Sequence, residues 1–230
     1  MDRPLTFEIT GDARAACALR RSVFVEEMGI APEIEADSFD ATSEHAILRD
    51  PGRPELGAIG TARLARGTAY TAREFDLHRL CAAEGRVVEL GRTCLHPDYR
   101  GGTAALTLFR GIAEQLLQRG VAYLVGTASL PGTDAAALMP VLRGLRDAAL
   151  APEELRPRAR GPQAVAVTAG AGDLRAAPPL IKAYLRAGAW VGEGAWIDAD
   201  FGCTDICILL DMARLRLPGA GRRAPLGSVA

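Results

Sequence analysis

The chain has 230 residues, enough to bury a sizeable core as one domain, and its 49% hydrophobic and 24% charged residues are an ordinary soluble balance. A formal net charge of −1 argues against a protein that wraps nucleic acid by neutralising phosphates. No apolar run approaches the roughly 20 residues needed to cross a bilayer, and the amino terminus lacks the apolar core of a secretory signal, so a cytoplasmic protein is expected.

Residues 5–9 alternate as a short strand. Residues 12–28 place Ala16, Leu19, Val23 and Met28 at near-helical spacing, with Asp12 as the expected cap and Gly29 as the stop. Residues 31–43 are acidic and irregular. Strands are expected at 45–49 and 57–65, joined as a hairpin across the turn DPGRPELG. The segment VVELGRTCL is a further strand, running into a Pro-Asp turn and the pair Gly101-Gly102. From Thr103 to Gly120 the pattern is an amphipathic helix, with Leu106, Phe109, Ile112, Leu116 and Leu117 on one face. Residues 121–130 are nearly all apolar, as in a strand covered on both faces.

A helix interrupted at Pro140 is expected over 133–150 and a short one over 178–188. The Pro-, Arg-, Gly- and Ala-rich stretch 151–177 between them shows no assignable pattern. Two strands, 189–198 and 203–212, follow as an antiparallel pair. Cys203 and Cys207 would point the same way on the second; with no His or second Cys pair beside them they read as reduced thiols, and no metal site is expected. The order describes an α/β fold, a mixed twisted sheet with helices on both faces, in one domain over 1–217 with a disordered tail over 218–230.

The segment LRRSVFVEEMG followed by EADSFD resembles the amino-terminal signature of acyl-homoserine-lactone synthases, enzymes of the GNAT fold that take an acyl group from acyl carrier protein. Arg20 and Phe24 match its Arg-x-x-x-Phe, Asp37 and Asp40 its acidic pair, Arg63 in GTARL its strand arginine, and Glu89 with Arg92 its Glu-x-x-Arg. The segments SEHAIL, GTARL, ELGRTCLHPDYRGG, GTASLPGTD and PPLIKAYLRAGAWVGEGAWIDADFGCTDICILL resemble a sister family, the bacterial ornithine-lipid N-acyltransferases. That second resemblance covers nearly the whole chain, so it is preferred. It implies a GNAT fold and transfer of a 3-hydroxyacyl chain from acyl carrier protein to the α-amine of ornithine, giving lyso-ornithine lipid. It also implies no tightly bound cofactor, because the donor travels on the carrier protein's phosphopantetheine.

The resemblance assigns roles as well. GNAT enzymes that use coenzyme A carry Arg-x-x-Gly-x-Gly/Ala, whose bare amides at a helix start cradle a pyrophosphate. The corresponding stretch here is Arg100, Gly101, Gly102, Thr103, Ala104 and Ala105, with Thr103 where the first motif glycine belongs; this suits a phosphopantetheine lacking the nucleotide. Glu89, on the strand leading into that loop, is the expected base, and Arg92 would orient it or hold the substrate carboxylate. Tyr184, in the Tyr-x-x-x-Gly pattern of the last helix, would protonate the leaving thiolate or simply pack at a helix end. Asp37 and Asp40, with Glu35 and Glu44 nearby, would form an acidic pocket for ornithine's ammonium groups. Phe24 would line the acyl channel, and His45 is a further substrate-site candidate. His96, His78 and a covalent role for Cys94 are set aside, since no acid-base spacing supports them.

Acyl carrier protein is the expected partner, meeting arginines such as Arg100, Arg110 and Arg119. Peripheral contact with the inner membrane is expected because the product is a lipid, and RLRLPGAGRR at the carboxyl end could touch anionic headgroups. The alternatives are an autoinducer synthase using S-adenosylmethionine, whose usual Trp is replaced by Ile30, a coenzyme A-dependent N-acetyltransferase, and a non-catalytic, membrane-active protein.

Overall fold

The structure, a computed structural model, describes residues 4–217. The tail expected over 218–230, and most of the basic segment proposed to meet lipid, lie outside the described residues. The chain runs β1 (Thr6–Thr10), α1 (Arg14–Arg20), α2 (Pro32–Glu35), β2 (Glu44–Arg49), β3 (Gly60–Arg66), β4 (Phe75–Asp76), α3 (His78–Ala82), β5 (Arg86–Leu95) and α4 (Ala104–Gln118). It continues through β6 (Val121–Pro131), α5 (Ala135–Ala149), β7 (Arg158–Ala159), β8 (Ala164–Val165), α6 (Pro179–Arg186), β9 (Trp190–Val191), β10 (Ala195–Asp198) and β11 (Cys203–Asp211).

The main sheet has the order β1-β2-β3-β5-β6-β11-β10-β8, with β9 also against β11, while β4 and β7 make a small separate ribbon. Every pairing is antiparallel except β5 with β6, which run parallel and pair only from Arg86 to Glu89. Alternation along the strands divides the core. Ala46, Leu48, Val88 and Leu90 pack with Leu108, Ile112 and Leu116 of α4, Leu145 of α5 and Ile181 of α6 on one face. Ile47 and Cys94 point the other way, onto Ala16, Leu19 and Val23 of the amino-terminal helix. Phe75, Leu77 and Leu80 cover Val125, Cys207 and Leu209 further along that second face. Cutting back one of these fully buried leucines removes about 2–5 kcal/mol.

Several local features differ from the sequence expectations. Asp12 does not cap the first helix; its carboxylate accepts from the backbone N–H and guanidinium of Arg14, and Ala13 takes the cap position. The second half of that helix, Arg21–Glu27, is π-helical, with Met28 N–H reaching back to the Val23 carbonyl. Pro140 does not interrupt α5, because Val141, Leu142 and Leu145 anchor the turns after it and Asp134 caps the start through Ala136 N–H at 2.9 Å. The expected strand over 189–198 is split into β9 and β10, since Glu193 between them pairs with Pro157 and Ala159 instead of β11. The stretch 67–83, to which the sequence analysis assigned no element, folds as a short 3₁₀ turn, β4 and α3.

Candidate active site

A buried ionic cluster lies under the amino-terminal helix. Arg20, fully buried on α1, binds the Asp40 carboxylate with both terminal nitrogens at 2.6 and 2.9 Å, the Glu35 carbonyl at 3.0 Å and the Glu35 carboxylate. Arg63, from the middle of β3, donates to Asp37 at 2.5 Å and Asp40 at 3.1 Å. Arg92 donates to Asp37 at 3.2 Å, the Ile34 carbonyl at 3.1 Å and the Tyr70 hydroxyl at 3.3 Å. Arg63, Arg73 and Arg92 all stack near the Tyr70 ring, 5.1–5.4 Å from its centre, and Arg92 also lies over Phe201. Burial works to raise the Asp40 carboxyl, but its bonds from Arg20 and Arg63 outweigh that and hold it below the usual range.

Arg92 owes its position to the backbone. Three residues beyond Glu89 on a regular strand, it would point to the opposite face. It instead has φ of 51°, at an irregularity where β5 slips by one residue against β3 between Thr61 and Arg63. This bulge turns the guanidinium to the face that Glu89 occupies. A non-glycine residue held at positive φ stores about 1–3 kcal/mol, a strain found where side-chain aim matters. The Arg92 Nε is buried and has no hydrogen-bond partner among the described residues.

Glu89 is buried at the last rung of the β5–β6 pairing. Its carboxylate accepts from Thr71 N–H at 2.7 Å, Thr71 Oγ1 at 2.8 Å and Tyr70 N–H at 3.1 Å. Burial pushes its carboxyl upward, opposed by those three bonds. Beyond it stand three more buried carboxylates, Glu74, Asp198 and Asp205. Burial and the neighbouring Asp205, Asp198 and Glu89 push Glu74 up to about 9, and burial with Asp198 pushes Asp205 up to about 6. Asp198, Cys203 and Asp205 bring their potential ligand atoms within 4.8 Å of one another, the one such trio among the described residues.

After Glu89 the two parallel strands part: β5 continues against β3 to Leu95, and β6 continues against β11 to Pro131. At the parting point Gly126 lies so close to β5 that a Cβ there would sit 2.1 Å from the Leu90 carbonyl. The loop 100–103 feeds α4, whose first amides have no intrahelical acceptor and point out of the helix start. Gly101 has φ of 81°, which lets the chain turn into the helix without a side-chain clash. A cleft of about 800 Å³ opens against Gly102, Thr103 and Ala104. Arg100 clamps the loop to the π-helical segment through Glu27 at 2.5 and 2.7 Å.

The structure thus brings Arg20, Asp37, Asp40, Arg63 and Arg92 together, with Glu89 beside them, and corrects several roles. No hydrogen bond joins Arg92 to Glu89; Arg92 is spent on Asp37, and the turn at Tyr70 and Thr71 orients Glu89. Asp37 and Asp40 do not form a free acidic pocket, because three buried arginines need counter-charges and take them. His45 is buried, its Nε2 3.1 Å from the Asp40 carbonyl, and supports the cluster from behind. Phe24 meets Phe201 edge-on at 6.3 Å, beneath Arg92. Tyr184 packs edge-on to Phe109, 5.4 Å away, with the cluster that holds Val88 and Leu90; alternation puts it across the sheet from Glu89. Cys94 is buried with its thiol pushed up to about 12, unsuited to act as a nucleophile. Arg110 and Arg119 pair with Glu114 and Glu44. Sequence reasoning missed Tyr70, Thr71, Glu74, Asp198 and Asp205. The first three fall in a stretch with no periodic pattern, and the aspartates read there only as strand residues.

Residues 19–110 match the acetyltransferase (GNAT) domain family. The chain is 43% identical, over 90% of its own length and 91% of the relative's, to the L-ornithine N(alpha)-acyltransferase of Rhodobacter capsulatus. It is 32% identical to the enzyme of the same name from Brucella abortus, covering 88% of this chain and 81% of that one. Among solved structures, the acyl-homoserine-lactone synthase LasI superposes with a TM-score of 0.51 at 15% identity, covering 92% of this chain and 91% of LasI. That likeness shows the fold.

Proposed function

Since the chain belongs to the L-ornithine N(alpha)-acyltransferases, with the GNAT fold, we propose that it moves a 3-hydroxyacyl chain from acyl carrier protein to the α-amine of ornithine, giving lyso-ornithine lipid. The observation that carries the mechanism is the placement of Glu89: a buried carboxylate at the rung where β5 and β6 separate, on the strand that leads into the loop before α4 and its free amides. The phosphopantetheine phosphate sits at the start of α4, on the amides of Gly102, Thr103 and Ala104. Its arm, which carries amide groups, runs into the wedge between the strands, where backbone groups lack a strand partner.

The acceptor's ammonium gives one proton to Glu89, directly or through a water. The freed amine attacks the thioester carbonyl, forming the N–C bond. As the C–S bond breaks, the nitrogen loses its second proton and the donor leaves as a thiol. The strained Arg92, with its unpartnered Nε, receives the substrate carboxylate and so presents the α-amine rather than a side-chain amine. Carrier-protein carboxylates compete for Arg100 and Arg110, whose exposed pairs hold them weakly, and for the half-buried Arg119. No helix among the described residues is long and apolar enough to cross a membrane, and delivery of a single-chain lipid calls for contact at the surface.

The test is direct. Purified protein is incubated with 3-hydroxyacyl carrier protein and a panel of amino acids, and N-acyl products are identified by mass. N-acyl-ornithine is the expected product, and Glu89→Gln lowers turnover by roughly 10²–10⁴-fold with the fold intact. Near-full turnover of Glu89→Gln would remove the base from the mechanism.

A further inference from the structure

We infer that Glu74, Asp198 and Asp205 form a subsite for an ammonium group at the far end of the acceptor's side chain, so that the protein selects a diamino acid over a neutral amino acid of the same length. The inference rests on the preceding reading that an amino acid is the acceptor. Glu74 is 4% exposed, and its Oε2 has no hydrogen-bond partner among the described residues. The charged groups facing it are Asp205, Asp198, Glu89 and Arg92, and Arg92 is already bound to Asp37. Asp205 takes a hydrogen bond from the Cys203 thiol at 3.6 Å, Asp198 caps the turn at Phe201 N–H, and the buried Cys207 thiol nearby brings no charge.

A carboxyl withdrawn from water with an empty acceptor atom, beside three more carboxylates, destabilises the fold. Gln or Leu at position 74 would remove that penalty, so its presence points to a cation that arrives from outside. Burial and the neighbouring acids keep Glu74 protonated near neutral pH. An incoming ammonium reverses this by pairing with the carboxylate, and the displaced proton leaves to solvent. The face would then read a diamino acid at three points: its carboxylate at Arg92, its α-amine at Glu89, and its distal ammonium at Glu74, Asp198 and Asp205. A divalent metal at Asp198, Cys203 and Asp205 is the competing occupant. The unpartnered oxygen belongs to Glu74, outside that trio, and favours the ammonium.

The experiment is calorimetric titration of the full-length protein, without acyl donor, with L-ornithine and with L-norvaline, which lacks the distal amine. Buffers of different ionisation enthalpy at pH 7.5 report proton exchange. Ornithine is expected to bind at least about tenfold more tightly than norvaline, with proton release. In Glu74→Gln, and in Asp205→Asn as a second variant, that preference falls by about tenfold while norvaline binding holds and the melting temperature does not fall. Unchanged ornithine affinity in both variants overturns the subsite, as does a protein whose melting temperature is raised by Zn²⁺ but not by ornithine. The two readings fail separately. Tight ornithine binding without any N-acyl product sinks the transfer and keeps the subsite, whereas equal ornithine KM in wild type and Glu74→Gln sinks the subsite and keeps the transfer.

Discussion

Two groups of buried charges share one face of the sheet and are built on opposite terms. Under α1, Arg20, Arg63 and Arg92 meet Glu35, Asp37 and Asp40, and each carboxylate has a guanidinium partner within hydrogen-bond distance. From Glu89 onward, four buried carboxylates, Glu89, Glu74, Asp198 and Asp205, face only guanidiniums already paired elsewhere, Arg92 and, at Glu89, Arg63. The first group is neutral and closed apart from the free Arg92 Nε, so it reads as scaffold with one donor left for a substrate; the second is open and undercompensated, so it reads as a place for a ligand. Identical residue types at similar burial thus do different work, and the difference lies in whether the counter-charge comes from the chain.

Unbalancing the neutral group tests its role as scaffold. Arg20→Ala strands Glu35 and Asp40 without their partner and is expected to destabilise the protein by about 3–5 kcal/mol in urea denaturation. Asp40→Ala should act on stability in the same direction and leave the affinity for ornithine largely in place. A loss under about 1 kcal/mol for Arg20→Ala, or a selective loss of amine binding for Asp40→Ala, would return the acidic pair to the substrate site.

The undercompensated group carries the opposite signature in pH. Glu74 rises from 4.5 to about 9 on folding, so between those values the native state holds a proton that the unfolded chain has released. Unfolding therefore releases a proton, and stability falls as pH rises through this window, by at most about 1.4 kcal/mol per pH unit for one group. Asp205, raised to about 6, adds the same sign at the acid end. Glu74→Gln should flatten the slope and stabilise the protein by roughly 1–3 kcal/mol at pH 8.5. Urea midpoints at pH 6 and pH 8.5 for both proteins decide it, and parallel slopes would show that Glu74 is ionised and partnered.

The members of the neutral group, and Glu89, were legible in the chain, although Asp37 and Asp40 were expected to hold the substrate; Glu74, Asp198 and Asp205 were not. Arg20, Asp37, Asp40, Arg63, Glu89 and Arg92 stand at the positions of a signature, and helices and strands with strong apolar periodicity, such as α4 and β6, fell close to where they were expected. What the spacing hid was direction. Glu89 and Arg92 share a face only because of the bulge at φ 51°, and no periodicity encodes that. Asp198 and Asp205 reach Glu74 through pairing of β10 with β11 and through a 3₁₀ turn at Thr71–Arg73, contacts set by tertiary packing. Acids in such segments look like surface residues until the sheet is assembled.

The smallest expected effect concerns the tyrosine that the helix pattern nominated as the thiolate's acid. Tyr184 packs on Phe109 across the sheet from Glu89, and burial pushes its phenol far above its usual range, leaving it a reluctant donor. Tyr184→Phe keeps the ring and its edge-on contact, so kcat should stay within about twofold and the alkaline limb of the pH–rate profile should not move. A phenol that delivered the proton would show itself differently: its loss would cut kcat by at least about 10²-fold, leave KM for ornithine in place, and be felt most with poor leaving groups. That outcome would require the thioester to pass through the wedge to the α4 side of the sheet, taking the leaving sulfur away from the face that holds both charge groups. The transferred carbonyl would then sit between the two faces, with Glu89 serving the amine from one side and Tyr184 serving the sulfur from the other.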